Sequence, residues 1–331
     1  MSNNTKVSII IPCRNEEKYI GRCFDSIISQ DYPKENLEIL VIDGMSEDRT
    51  REVILEFSKR CPNIRLLENQ KKITPTALNI GIRESRGEYI LRADAHSIYE
   101  NDYIKKCVEY LEKTGADCVG GALNTKSGSD SFVAEAISFV LSSVFGVGSS
   151  FRTIKKEAYV DTVPFGAYRR EIFDKIGFFN EKLVRNQDIE LNSRIRKAGG
   201  KIFLTPEIKL IYFAPSTFKK LILQQFQNGL WNVYTQKLAP RSLSLRHFIP
   251  LFLVVGLIGG FALSPFSPFG KVLFALIFGS YLLLDLFFSI NISLKKGLKY
   301  LIILLPTFFT LHFVYGLGSI WGLLTFWKIK K

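Results

Sequence analysis

Val7-Ser8-Ile9-Ile10-Ile11-Pro12-Cys13-Arg14-Asn15-Glu16-Glu17 decides how the first half of this 331-residue chain is read. The β-branched run over residues 7–11 predicts a strand, and Pro12 ends it. The polar segment from Arg14 then opens an amphipathic stretch with Ile20, Cys23, Phe24, Ile27 and Ile28 at helical spacing. The unit recurs downstream. Residues 37–42 read as a strand ending at Asp43, and Ser46 begins a helix carrying Val53, Ile54 and Phe57. Residues 64–67 make a third strand and 74–86 a helix closed by Gly87; a fourth strand, 89–92, stops at Ala93-Asp94-Ala95-His96. Alternating β and α at these spacings predicts an α/β fold with a mostly parallel, Rossmann-like sheet, helices on both faces and ligands at the carboxyl ends of the strands. Asp43 and Asp94 both fall at such ends.

Working outward, 101–114 reads as a helix and 118–123 as a strand. The apolar stretch 132–151, interrupted by Ser and Gly, reads as a buried or interfacial helix and loop. A short helix (171–177), a longer one (187–198) capped by Gly199-Gly200, and a strand (202–204) follow. Residues 221–238 place Leu221, Ile222, Phe226, Leu230, Trp231, Val233 and Tyr234 largely on one side with lysines at the ends, the pattern of a helix lying in a membrane interface.

Charge divides the chain. Residues 248–327 hold only Lys271, Asp285, Lys295, Lys296 and Lys299, a composition a soluble globular fold rarely tolerates over eighty positions. Segments 248–270, 272–294 and 300–327 are each long enough to span bilayer hydrocarbon. The lysines between Ser293 and Lys299 put that loop in the cytoplasm and make the first two spans a hairpin returning to it. A third span would export Lys328, Lys330 and Lys331 against the same rule, so the last segment, broken by Pro306, is open to being re-entrant or split. The domain expectation is therefore a cytoplasmic catalytic domain over 1–217, an interface helix over 218–245 and a transmembrane region over 246–331, with no cleavable signal at the start.

The net charge of +13 comes without a basic stripe or a nucleic-acid motif, which leaves anionic lipid and phosphate-bearing substrates as the expected partners and excludes nucleic acid. Five scattered cysteines without a C-x-x-C indicate neither a disulfide framework nor a zinc site.

Two features need one explanation: carboxylates at the functional edge of the sheet, and Asp188 at the start of a helix in Arg185-Asn186-Gln187-Asp188. Displacing a nucleoside diphosphate calls for a divalent cation to meet the leaving charge and a base for the incoming hydroxyl. Asp94 with His96 is a candidate for the first, the imidazole favouring Mn²⁺ over Mg²⁺, and Asp188 for the second. The competing readings are structural: Asp43 and Asp94 as turn residues, His96 as a hydrogen-bond donor to a loop, and Asp188 favouring a helix N-terminus.

At this point the chain resembles a known family. The opening run, then Val41-Ile42-Asp43-Gly44-Met45-Ser46-Glu47-Asp48-Arg49-Thr50, Ala77-Leu78-Asn79-Ile80-Gly81, Asp94-Ala95-His96 and Arg185-Asn186-Gln187-Asp188 are similar, in order, to the motifs of family 2 glycosyltransferases of the GT-A fold. The likeness covers about residues 5–235, and the apolar tail is similar to the membrane-anchored, succinoglycan-type exopolysaccharide subgroup. The resemblance implies that Pro12, Arg14, Glu16 and Asp43, with Asn79, surround the nucleotide of a sugar donor, a UDP-sugar being expected. It implies that Asp94 and His96 hold Mn²⁺ or Mg²⁺, and that Asp188 is the base of an inverting transfer to a lipid-linked saccharide or polyprenyl phosphate. Gln187 stands for the usual Glu, His96 for the usual second Asp and Gly44 for a frequent Asp. Leu230 in Gln227-Asn228-Gly229-Leu230-Trp231 replaces the Arg of processive members and so weakens that reading. Lys71 and Lys72 read as a solvated pair, with diphosphate contact the alternative. Asp285 inside a span calls for a partner, Ser280 or Asn291. A non-catalytic membrane scaffold and a processive synthase are the alternative functions.

Overall fold

The structure, a computed structural model, describes residues 6–148, 151–153 and 156–328. Ser149 and Ser150 of the apolar stretch, and Lys330 and Lys331, lie outside the described residues. By packing, the chain forms two units: Met1–Asn124 with Ile154–Tyr212, and Thr125–Thr153 with Phe213–Lys331. This differs from the division expected at 217/218.

The first unit is built on a nine-stranded sheet, β1 (Val7–Cys13), β2 (Leu37–Asp43), β3 (Ile64–Glu68), β4 (Tyr89–Arg92), β5 (Ser97–Tyr99), β6 (Cys118–Lys126), β7 (Ala158–Tyr159), β8 (Ala167–Arg169) and β9 (Ile202–Phe213), in the order β3-β2-β1-β4-β8-β6-β9-β5 with β7 on β9. Strands β3, β2, β1 and β4 are parallel, joined by the crossover helices α1 (Ile20–Ile28), α2 (Thr50–Arg60) and α3 (Thr74–Glu84). Every residue of β2 is buried, as a parallel strand covered on both faces requires.

Beyond β4 the sheet turns antiparallel: β4 to β8, β6 to β8, β5 to β9 and β7 to β9. The sequence pattern predicts the parallel half. The other half consists largely of strands of two or three residues, too short for a period to register, around the long β9, whose Pro206 hides its continuation past Leu204. The helices α4 (Tyr103–Thr114), α7 (Glu171–Ile176) and α8 (Gln187–Lys197) complete the unit.

Helix α2 starts at Thr50, not Ser46. Its first N–H groups are met from outside: Asp48 Oδ1 accepts from Thr50 N at 3.0 Å, while the Ser46 hydroxyl and N–H turn back to Asp43. Residues 44–49 thereby remain a loop at the end of β2.

The second unit comprises α5 (Phe132–Leu141), α6 (Val144–Val147), α9 (Phe218–Leu238), α10 (Ile249–Leu263), α11 (Pro268–Lys296) and α12 (Leu301–Thr325). Its core gathers Ala136, Ile137, Val140 and Leu141 of α5 with Leu221, Tyr300, Leu304, Phe308 and Leu311. Three helical stretches, Leu245–Leu263, Pro268–Lys296 and Leu298–Thr325, are long and apolar enough to cross a membrane. Phe252, Phe261, Phe269, Leu276, Leu283, Phe287 and Leu294 stand exposed along α10 and α11, the surface expected against lipid. Pro306 sits in the second turn of α12 without breaking it, so the last apolar segment is one continuous helix.

Helix α9 buries only part of the apolar side expected at the interface, together with polar and small residues. Leu221, Gln225, Gly229, Asn232 and Val233 point inward, while Ile222 and Leu223 are exposed. The reason is a seam of small residues: α9 meets α12 where Gly229, Gly318, Ser319 and Gly322 let the backbones approach, and Ser319 Oγ donates to the Gly229 carbonyl at 3.2 Å. Trp231 packs edge-on against Tyr234 within α9. Asp285 is buried and takes its hydrogen bond from Ser289 Oγ at 3.1 Å, one turn on; Ser280 and Asn291 instead donate to the carbonyls of Ile277 and Phe287. His312 Nε2 donates to the Phe145 carbonyl at 2.9 Å, which leaves Nδ1 to accept from Tyr281 Oη at 3.1 Å.

Candidate active site

The carboxyl ends of β1, β2 and β4 open on a cleft of about 230 Å³ lined by Pro12, Cys13, Arg14, Glu16, Gly44, Asn69, Lys72, Arg92, Asp94 and His96, among others. Its loops continue the sheet's hydrogen bonding past the strands: Gly44 N donates to Cys13 O, Asn69 N to Asp43 O and Ala93 N to Ile10 O, at 2.8, 2.8 and 2.9 Å. Three non-glycine residues of these loops have left-handed backbones, Asn15 (φ 55°), Met45 (φ 57°) and Lys72 (φ 60°). Phe165 (φ 48°) and Asn186 (φ 60°) add two more in the same unit. Such residues cost on the order of 1–3 kcal/mol each and collect where ligands are handled.

Asp94 is fixed by its own loop, its N–H donating to Tyr99 Oη at 2.7 Å. Its Oδ1 accepts from Arg92 Nη2 at 3.3 Å. The other arm of that guanidinium, Nη1, is paired with Asp188 Oδ1. Two carboxylates far apart in sequence therefore meet on one buried cation. Burial works to lower the pKa of Arg92, yet Asp188 and Asp94 hold it above the ordinary arginine value. Burial pushes Asp188 above the ordinary carboxylate range, opposed by Arg92. Its place in the first turn of α8, behind Asn186, also favours the ionised form.

His96 Nδ1 lies 3.1 Å from Glu16 Oε1, and because a carboxylate only accepts, this nitrogen carries the proton. The bond to Glu16 raises the imidazole's pKa. In the neutral ring Nε2 is left as a lone pair, 3.9 Å from Asp94 Oδ2. Carboxylate–imidazole pairs of this kind orient histidine metal ligands. Among the described residues no group of three or more His, Cys, Asp or Glu forms a complete cage. Two protein donors beside an open cleft fit Mg²⁺ or Mn²⁺, which complete their shells with water and substrate phosphate.

Asp43 does not join Asp94 and Asp188. It is fully buried, accepting from the Ser46 hydroxyl at 2.5 Å and from Arg51 Nη1 at 3.2 Å, and it supports the cleft wall from behind Cys13 and Gly44. Asn79 is also elsewhere: its amide donates to Phe179 O and accepts from Phe179 N, each at 2.9 Å, and it donates to Glu181 Oε1 at 3.1 Å. Asn79 thus ties α3 to the loop after α7 instead of facing the cleft. Of the lysine pair, Lys71 is bound to Glu181 at 2.8 Å and Lys72 lines the cleft. Asn79→Ala should cost about 2 kcal/mol of stability, since it strands the Phe179 N–H and C=O, with nucleotide affinity unchanged. Denaturant unfolding and calorimetric UDP titration check both; a lost affinity at unchanged stability would return Asn79 to the nucleotide.

Arg92 is the residue that sequence reading passed over. A single Arg at the end of a strand carries no signal, and its role exists only once β4 and α8 are brought together.

An α/β unit with an open polar cleft at the ends of its parallel strands has the arrangement in which such sheets bind ligands. The chain belongs to glycosyltransferase family 2, whose family model, "Glycosyl transferase family 2", matches residues 8–177. It is 35% identical over 231 residues to the dolichyl N-acetyl-alpha-D-glucosaminyl phosphate 3-beta-D-2,3-diacetamido-2,3-dideoxy-beta-D-glucuronosyltransferase of Methanococcus voltae, 67% of this chain and 71% of that one. It is 31% identical over 229 residues to the succinoglycan biosynthesis protein ExoA of Rhizobium meliloti (strain 1021), 68% of each chain. The mannosyltransferase PcManGT from Pyrobaculum calidifontis, solved with GDP-Man and Mn²⁺, shares the fold with a TM-score of 0.60 at 18% identity over 96% of this chain and 87% of that one. The family match ends before Asp188, so that residue's part rests on its geometry.

Proposed function

We propose that this family 2 enzyme is a membrane-anchored inverting glycosyltransferase that moves one sugar from a UDP-sugar to a lipid-linked saccharide or polyprenyl phosphate. The observation that carries the mechanism is the Asp94–Arg92–Asp188 array at the cleft. Asp188, as carboxylate, takes the proton of the acceptor hydroxyl while its oxygen bonds to the anomeric carbon. The bond from that carbon to the diphosphate breaks, and its electron pair leaves with the nucleoside diphosphate. Asp94 Oδ2 and His96 Nε2 would hold Mn²⁺ or Mg²⁺, which, when bound, offsets the charge gathering on the leaving diphosphate. Glu16 orients His96 for that task, and Pro12, Arg14 and the Asp43-backed wall receive the nucleotide.

The acceptor assignment is supported by the relatives' names, one acting on a dolichyl-linked sugar phosphate and the other serving succinoglycan biosynthesis. Three apolar helices in the same chain support a reaction at the membrane where such acceptors reside, and the positive-inside rule applied to Lys295, Lys296 and Lys299 supports a cytoplasmic catalytic unit. Detergent-solubilised protein incubated with UDP- and GDP-sugars plus Mn²⁺ or Mg²⁺ should release UDP, and chelation should abolish release. GDP release would overturn the donor assignment, and unchanged release in EDTA the metal dependence.

A further inference from the structure

We propose that Arg92, seated on the ring of Phe165, is a positioning residue that fixes the spacing between the base Asp188 and the donor-side carboxylate Asp94. The inference rests on the mechanism above. Its geometry is specific: one arm of the guanidinium on each carboxylate, with its central carbon 5.3 Å from the centre of the Phe165 ring. Arg92 is a buried charge, and Nε has no hydrogen-bond partner. The site therefore leaves one donor unmet while using the other two nitrogens as a fork, an arrangement a lysine's single point charge cannot copy. Phe165 holds its place through a left-handed backbone at φ 48°, with its carbonyl accepting from Tyr103 Oη at 3.4 Å. Strain in a buried aromatic makes sense if the ring must lie under the cation.

The array has a mechanistic consequence. In inverting transfer the acceptor oxygen enters opposite the leaving diphosphate, so the base and the donor-side carboxylate must keep a set separation. Because Asp94 comes from the end of β4 and Asp188 from the start of α8, backbone connectivity does not set that separation; the fork does. Burial raises the pKa of Asp188, and Arg92, paired with its Oδ1, opposes that rise. Misplacement of a catalytic group by about 1 Å costs about a hundredfold in rate.

The experiment measures kcat, UDP affinity without metal, and melting temperature for Arg92→Ala, Arg92→Lys and Phe165→Leu, with Asp188→Asn alone and combined with Arg92→Ala. Arg92→Ala should lose about a hundredfold in kcat, over and above any change in UDP affinity that its place in the cleft lining brings. Arg92→Lys should recover little of it, and Phe165→Leu should fall between. Millimolar guanidinium, but not ammonium, should restore part of the Arg92→Ala rate by occupying the vacated site. In the Asp188→Asn background Arg92→Ala should cost nothing further, whereas a merely structural role would cost the same in both. Wild-type kcat in Arg92→Ala, full rescue by Arg92→Lys, or additivity of the pair would each overturn the proposal. Should Arg92→Ala fail to fold, the Lys and Leu variants carry the same comparison. An active Asp188→Asn would instead overturn the mechanism on which it rests.

Discussion

Asp188→Asn should lower kcat by about a thousandfold or more while UDP binding stays within about threefold of wild type. The amide is nearly isosteric with the carboxylate, so α8 and the cleft keep their shape, but it cannot take the acceptor's proton. Asp188 is not part of the cleft lining that includes Pro12, Arg14 and Gly44, which is why donor affinity should survive. One complication follows from the ion pair: removing the charge leaves buried Arg92 with Asp94 as its remaining carboxylate. Breaking a buried pair outright costs about 3–5 kcal/mol, so with a second carboxylate retained the stability loss should be smaller. Kinetics, UDP calorimetry and thermal melting on one preparation separate these effects. Transfer at more than a tenth of the wild-type rate would remove Asp188 from the chemistry.

The readable parts of this fold are those with a period. Residues 7–11 and 37–42 lie on buried parallel strands and so are apolar apart from Ser8 and Glu38, which bond to each other, and the helices between them carry apolar and polar faces. That Asp94 and His96 would stand at the cleft was legible because a strand end is a position, and positions show in sequence. Arg92 was not, since its meaning depends on a helix ninety-six residues away. Asn79 misled for the opposite reason: a motif marks it, but the amide serves Phe179. Helix α9 misled because its apolar residues suggest one face, whereas the buried side takes only part of it, together with Gly229, Gln225 and Asn232. Backbone approach leaves only a small residue in the sequence, and small residues have many causes.

That seam gives the largest expected structural effect. Gly318→Leu should destabilise the apolar unit by about 3 kcal/mol or more, because a Cβ there would stand 2.1 Å from the Phe226 carbonyl oxygen. The obstacle is backbone, so no rotamer relieves it; α9 and α12 must separate by more than an ångström. Separation also takes Gly229 from Tyr315, whose carbonyl now lies 1.9 Å from where a Gly229 Cβ would be, and loosens the Ser319 bond to Gly229. Asn232, which donates to the His247 carbonyl at 3.2 Å and pairs with Tyr315 Oη, would lose the second of these partners. A buried amide without that partner adds about 1–3 kcal/mol where no water reaches it. Gly279→Leu on α11 is the matched control, since nothing lies within 4 Å of a Cβ there and leucine favours both helix and lipid. Thermal unfolding in one detergent should show Gly318→Leu clearly lowered and Gly279→Leu unchanged. Equal melting of the two would mean that α9 is not held by backbone contact with α12 and that its polar buried face needs another cause.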